Sequence, residues 1–227
     1  MGGAAAGEVA SRIAVDTIVD RLRADHAATR PAPDHNGYLP QTSKLGAVIE
    51  QANDAVFAYA QGDREREGMG TTVVCLRTGP TVASVAHVGD SRAYYWHEGT
   101  FEPLTTDHSV VEAQVRAGLI SREQSLKSEH QNVLLQALGM GEGVNVDLAE
   151  VPVQAGDFLL LCTDGLTRTV SEEEMAAAIA SLRDPEKICR QLIDRANENG
   201  GPDNVTVVVV EILPSFWGRL LNRLRRW

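Results

Sequence analysis

Two aspartates stand where buried strands meet turns. In the run 158–166, Phe-Leu-Leu-Leu-Cys-Thr-Asp-Gly-Leu, the apolar stretch Leu159 to Cys162 does not alternate with polar residues. That is the pattern of a strand covered on both faces. Asp164-Gly165 ends it abruptly. A carboxylate at the mouth of a buried strand is costly unless a cation answers it, and Gly165 allows a tight turn or the close approach of another group. An isolated Asp-Gly is ordinarily no more than a turn. A second segment of the same kind changes that reading. Gly200-Gly-Pro-Asp-Asn-Val205 places Asp203 in a Gly/Pro loop directly before the β-branched run that ends at Ile212. Two buried strands, each with an Asp at one end, can bring two carboxylates together. Converging carboxylates repel unless they share a proton or hold a metal ion.

Composition narrows the function classes. A chain of 227 residues with 43% hydrophobic content suits one large globular domain or two small ones. Its net charge of −10 argues against a nucleic-acid binder, which needs a basic surface, and is compatible with a divalent-cation site. No segment approaches the apolar length of a membrane span. The start Met-Gly-Gly-Ala-Ala-Ala-Gly has neither the basic flank nor the apolar core of a secretory signal, and Ala6 speaks against myristoylation at Gly2. Cys75, Cys162 and Cys189 are odd in number, far apart and in apolar contexts. They read as buried structural thiols in a reducing cytosol.

The elements that must carry these residues follow from periodicity. A helix is expected from about Ala4 to Arg23, with Val9, Ile13, Ile18 and Leu22 near one stripe. The segment 30–37, rich in Pro, Asp, Asn and Gly, reads as a loop. A second helix presents Leu45, Val48, Ile49, Ala52 and Val56. Three β-rich runs then cover 71–76, 81–88 and 92–96. The short turn Gly89-Asp90-Ser91 predicts an antiparallel hairpin between the last two. From Thr105 to Leu138 the pattern is helical again, with Val110, Val111, Ala113 and Val115 before Gly118, and a capping box at Ser121 to Gln124. Residues 132–139 are ambiguous between helix and strand. Strands 146–151 and 157–162 flank the turn 154–156, and a helix from Ser171 to Ala180 opens with a second capping box. Another helix starts at Asp184-Pro185 and buries Ile188, Cys189, Leu192, Ile193 and Ala196. The last strand is 205–212, closed by Pro214. This order predicts an α+β domain with stacked sheets and outer helices.

Four short motifs occur together and in order: Val88-Gly-Asp-Ser-Arg92, Thr106-Asp-His-Ser109, Leu161-Cys-Thr-Asp-Gly-Leu166 and Gly201-Pro-Asp-Asn-Val205. Gly68-Met-Gly-Thr-Thr72, and Glu129-His130 with Asn132, are weaker matches to the same pattern. Together they resemble the metal-dependent serine/threonine protein phosphatases of type 2C, the PPM family, in its bacterial form. The resemblance runs from residue 1 to about 213, so the expected domains are 1–213, phosphatase-like, and 214–227, a basic amphipathic tail. It implies two antiparallel sheets stacked face to face with helices outside both, a four-layer α-β-β-α sandwich, and a pair of Mn²⁺ or Mg²⁺ ions at one end. It further implies that Asp164 and Asp203 ligate one ion, that Asp90 with Asp164 holds a third and weaker one, and that 105–138 includes a mobile flap. Hard ions of this kind prefer carboxylate, carbonyl and water oxygens. They activate a bound water and neutralise phosphoryl oxygens, so no protein nucleophile is required.

The family also carries an Asp-Gly-Met-Gly-Gly turn, whereas this chain begins Met1-Gly2-Gly3-Ala4. The resemblance therefore places the metal-bridging Asp, its Gly and two upstream strands before residue 1. A start set at an internal Met is the simplest account of that, and a natural truncation without catalysis is the alternative. Two functions follow. One is hydrolysis of phosphoserine and phosphothreonine on cytoplasmic proteins, opposing a serine/threonine kinase. The other is a non-catalytic phosphatase-like module that binds a phosphoprotein or partner, which would leave the chain as written inactive.

Among the other titratable residues, His87 reads as a satisfied core histidine and His108 as a hydrogen-bonding element at the base of the flap. His26, His35 and His97 read as exposed and uninformative. The tail from Phe216 to Trp227 can segregate its apolar residues from Arg219, Arg223, Arg225 and Arg226 on a short helix. It reads as a helix packed on the acidic body, or as a peripheral anchor for a membrane surface or partner.

Overall fold

A computed structural model of the chain describes residues 3–24, 37–63, 66, 68–125 and 127–214. The loop expected at 30–36, His26, His35 and the tail at 216–227 lie outside the described residues. The chain divides into two compact units, and each has its own core.

The first unit holds helices α1 (Gly3–Ala24) and α2 (Pro40–Gln61) and a three-stranded sheet. Its strands are β1 (Val73–Thr78), β2 (Val82–Val88) and β5 (Asp147–Pro152), in the order β1-β2-β5. In α1 the fully buried stripe is Ala10, Ala14 and Ile18, spaced by four, while Val9 is exposed and Ile13 and Leu22 are only partly covered. Of the expected stripe, Ile18 is buried and Ile13 and Leu22 pack against the core, whereas Ala10 and Ala14 are buried in place of Val9. Small side chains at 10 and 14 let α1 lie close on α2, which outweighs the larger apolar area Val9 offers. The stripe of α2 is as expected: Leu45, Val48, Ile49, Ala52 and Val56 are all buried. Pro40 opens that helix at a position where its missing N–H is not needed. The Thr42 hydroxyl shares a 2.7 Å hydrogen bond with that of Ser84 in β2.

The second unit holds a four-stranded sheet of order β4-β3-β6-β7, formed by β3 (Arg92–His97), β4 (Thr100–Pro103), β6 (Phe158–Cys162) and β7 (Val207–Glu211). Both sheets are antiparallel and flanked by helices. The hairpin expected across Gly89-Asp90-Ser91 does not form, because β2 and β3 belong to different sheets. The hairpin here is β3–β4, closed by Glu98-Gly99 with φ of 47° and 93°, and His97 pairs with Thr100. Two successive positive φ values give a turn whose twist suits paired strands. At 89–91, Gly89 has φ 112° and a neighbour that leaves no room for a side chain, and the chain crosses from one sheet to the other.

Helix α6 (Glu172–Leu182) starts with the expected capping box between Ser171 and Glu174. Helix α7 (Pro185–Glu198) is capped by Asp184, which accepts from the Glu186 and Lys187 amides. Ile188, Leu192 and Ala196 are buried there, with Cys189 and Ile193 half-buried. Ile188, Leu192 and Ala196 pack with Met175, Ile179, Tyr94, Phe158 and Leu160 into the second core. The ambiguous segment 132–139 forms neither helix nor strand, only isolated bridges of Leu134 to Ser109 and Leu138 to Thr71. Helices α3 (Val110–Arg116) and α4 (Arg122–Ser125) precede it, and in α4 Ser121 and Gln124 cap each other reciprocally. No helix among the described residues is long and apolar enough to cross a membrane.

Candidate metal centre

Strand β6 is buried along its whole length, and its pairing decides where Asp164 goes. Cys162 pairs with Val207 and Phe158 with Glu211 in antiparallel register. The residues after β6 therefore lie beside those that lead into β7. Thr163 fastens the two segments. Its amide donates to the Thr206 carbonyl at 3.2 Å, while its hydroxyl donates to the Asn204 carbonyl at 3.3 Å and accepts from the Thr206 amide at 3.0 Å. Gly165 is pressed against the same loop, since a Cβ at that position would lie 2.4 Å from the Asn204 carbonyl oxygen. The glycine is required by a close backbone approach.

After β6 the chain turns at once into a four-residue helix, α5 (Asp164–Thr167), instead of the simple turn the Asp-Gly pair suggests. One helical turn on from Asp164 lies Arg168, and its guanidinium forms an ion pair with the Asp164 carboxylate. A second guanidinium nitrogen of Arg168 lies 3.9 Å from Asp203 Oδ2. Asp164 and Asp203 thus converge on one cationic group, as the cost of a carboxylate at a strand mouth requires. The Asp203 carboxylate also accepts from the Asn204 amide at 2.7 Å. Their side chains are 26% and 47% exposed, so both oxygen sets can be reached from solvent. Two hard carboxylates directed at one positive centre are a donor set that fits Mn²⁺ or Mg²⁺. The sequence did not single out Arg168, although its i,i+4 spacing from Asp164 was a visible signal.

Asp90 belongs to the first unit, at the end of β2 and half-buried. Its neighbours are held on both sides. The Gly89 carbonyl accepts from the His108 amide at 2.8 Å, and the Ser91 hydroxyl shares a 3.0 Å hydrogen bond with that of Thr72. A Cβ on Gly89 would lie 2.3 Å from Thr72 Cγ2. In the same unit His87 is 2% exposed, with Nε2 2.9 Å from the Thr106 carbonyl. It is the satisfied core histidine expected. Burial pushes its pKa down, which outweighs the upward pull of the Thr106 bond.

His97 is not the exposed, uninformative group its sequence context suggests. Its Nδ1 lies 2.8 Å from Oδ1 of Asp157, a carboxylate 2% exposed that also accepts from the Tyr95 hydroxyl at 2.6 Å and the Gln154 amide at 2.8 Å. Of the thiols, Cys162 is buried, while Cys75 and Cys189 are half-buried. Desolvation pushes Cys75 up to about 11 and raises Cys189 as well, as inert structural thiols require.

An antiparallel α+β fold with two aspartates converging at a strand mouth is compatible with a metal-binding protein, and comparison with known proteins gives the family. The family described as Stage II sporulation protein E (SpoIIE) matches residues 3–213. The serine/threonine phosphatase stp of Listeria innocua is 38% identical over 211 residues, covering 93% of this chain and 81% of that protein. The serine/threonine protein phosphatase PstP of Mycobacterium tuberculosis is 32% identical over 219 residues, covering 96% of this chain and 40% of that longer protein. A crystal structure of PstP superposes with a TM-score of 0.81 at 33% identity, covering 94% of this chain and 86% of the other. A second, of the PstP catalytic domain in complex with two manganese ions, superposes with a TM-score of 0.77. The chain belongs to the type 2C (PPM) family of serine/threonine protein phosphatases.

Proposed function

We propose that the chain hydrolyses phosphoserine and phosphothreonine on proteins through water activated by divalent metal, with Asp164 and Asp203 as ligands of one ion and Asp90 as a ligand of a further, weaker one. The observation that carries this reading is the convergence of Asp164 and Asp203 on a single positive centre at the end of a fully buried strand. The manganese ions bound by PstP support it. When bound, such ions supply an activated water and charge neutralisation at the phosphoryl oxygens. The chain's own part is to hold oxygen donors rigidly. β6 and β7 set the spacing of the two loops, Thr163 pins one to the other, and Gly165 permits their close approach. Arg168 places one positive charge beside both carboxylates, paired with Asp164 and 3.9 Å from Asp203. The substrates in this reading are targets of a serine/threonine kinase.

Asp164→Ala and Asp203→Ala test it. Each should weaken Mn²⁺ binding, read by calorimetry, by more than about a hundredfold, since even residues that only support ligands are worth tenfold to a hundredfold. Hydrolysis of a phosphothreonine peptide should fall with it. Full Mn²⁺ affinity in either folded variant would remove these residues from the site. Mn²⁺ bound by the wild type without turnover would point instead to a binding module.

A further inference from the structure

His87, His108 and Asp147 bring two imidazoles and a carboxylate within 4.8 Å of one another, a group of a size that could hold a metal ion. Their hydrogen bonds give the cluster a different task. The Gly89 amide donates to His108 Nδ1 at 3.3 Å. An N–H can meet that nitrogen only where it carries a lone pair, so the neutral ring has its proton on Nε2. His108 Nε2 lies 3.3 Å from Asp147 Oδ2, at ion-pair distance, so the carboxylate faces the protonated edge of the ring. In this tautomer Nε2 is not free to ligate a metal unless it first loses that proton. Nor is His87 Nε2 available, because it faces the Thr106 carbonyl at 2.9 Å and must carry a proton to bond to it. The ring of His87 instead packs against His108, with centroids 4.6 Å apart.

We infer that Asp147, His108 and Gly89 form a positioning relay that holds the turn bearing Asp90, with His87 as its packing support. Asp147 sets the tautomer of His108, and His108 grips Gly89 twice, by its ring at the amide and by its own amide at the Gly89 carbonyl. Gly89, at φ 112° and pressed on Thr72, has no relaxed alternative that a side chain could enforce, so the grip decides the direction in which Asp90 leaves the turn. His108 and Asp147 act through Gly89 and are positioning residues. The relay rests on the reading of Asp90 as a metal ligand only in its consequence for ion binding, not in its geometry.

The test has two arms on the full chain. In the first, hydrogen exchange of the Gly89 amide is followed by NMR. His108→Phe keeps a ring beside His87 but removes the acceptor, and should speed exchange about tenfold or more. Asp147→Leu should do the same in part. Asp147→Asn, whose carbonyl oxygen can still face Nε2, should retain the protection, and His108→Asn, which keeps an acceptor near the Nδ1 position, should restore much of it. Unchanged Gly89 exchange in folded His108→Phe overturns the relay whatever Asp90 does. In the second arm, calorimetry follows Mn²⁺ in His108→Phe. The weaker binding phase should lose about tenfold in affinity, while the phase that depends on Asp164 stays within twofold. If Asp90→Asn leaves the weaker phase intact, the metal reading of Asp90 fails and the exchange arm still decides the relay. Stoichiometric Zn²⁺ or Mn²⁺ binding in Asp164→Ala that is lost on adding His108→Phe would show that the three side chains hold an ion, and would overturn the proposal.

Discussion

Asp164 carries its cost as a half-buried carboxylate only because Arg168 sits one helical turn away and reaches Asp203 as well. With Asp164 and Asp203 as ligands, as proposed, the guanidinium and a divalent ion would compete for the same oxygens. Arg168→Gln removes one competitor and should tighten Mn²⁺ binding, read by calorimetry. A half-exposed ion pair is worth about 0.2–1 kcal/mol after solvent screening, so the gain should not exceed about fivefold. The metal-free variant should melt slightly lower, because two carboxylates then face each other without a counter-charge. Weaker Mn²⁺ binding in Arg168→Gln would mean that the arginine shapes the ligand set rather than competing for it. The two aspartates were legible in the sequence from their placement beside apolar β-branched runs. Arg168 does not stand out in the sequence, because an i,i+4 charge pair on a helix surface is usually a solvated one, and nothing local tells that this pair reaches a third residue from another loop.

At the scale of elements, the second sheet is tied to the turn before β6 by a buried carboxylate. Asp157 joins Tyr95 and His97 of β3 to the backbone at Gln154, and its own carbonyl accepts from the Ile212 amide. The hydrogen bond to Asp157 raises the pKa of His97. Burial pushes Asp157 up, but the bonds from His97, Tyr95 and Gln154 together outweigh it and hold the carboxyl below its usual range. A group with a raised folded pKa stabilises fully below its unfolded value, here about 6.5, and loses that contribution as pH rises through the folded value. The depressed Asp157 stabilises above about pH 4 and loses its contribution as pH falls through its folded value. The pair therefore contributes most between about pH 4 and pH 6.5. His97→Gln should flatten the decline of Tm as pH rises above about 6.5, measured by calorimetric scans from pH 5 to 9. An unaltered profile would show that the pair does not couple to folding. The capping boxes at Ser121 and Ser171 and the Asp184-Pro185 start were readable because each is closed within four residues. The Asp157 network was not, since its partners come from a strand far away in sequence.

For the molecule as a whole, stability is divided between two separate apolar cores, one built on α1, α2 and β2 and the other on β3, β6, α6 and α7. Ile49 and Leu160 are fully buried, one in each. Ile49→Ala and Leu160→Ala should each lower the free energy of unfolding by about 2–5 kcal/mol, read as a drop in the urea midpoint. Leu160 pairs across β6 with Tyr94 and Val209, in the strand that leads to Asp164. Its truncation should therefore also weaken Mn²⁺ binding, which Ile49→Ala should not do beyond its effect on folding. Equal losses of affinity would show that the site depends on global stability rather than on β6.

By itself the sequence determined most of the elements and their order, though not β4 or α5, and the positions of the three aspartates, because hydrophobic period, capping residues and Gly/Pro punctuation are local properties of a chain. Family membership was legible for a related reason: Val88 to Arg92, Thr106 to Ser109, Leu161 to Leu166 and Gly201 to Val205 keep their residue types in order. Only the tertiary structure decided that β2 and β3 part into different sheets, that α1 buries Ala10 and Ala14 in place of Val9, and that Asp147 lies beside His108. A short polar turn between two β-rich runs is compatible with a hairpin or a crossover. What selects the crossover is Thr72 packed against Gly89 and the pairing of β3 with β4 and β6, contacts between residues that the order of the chain keeps apart.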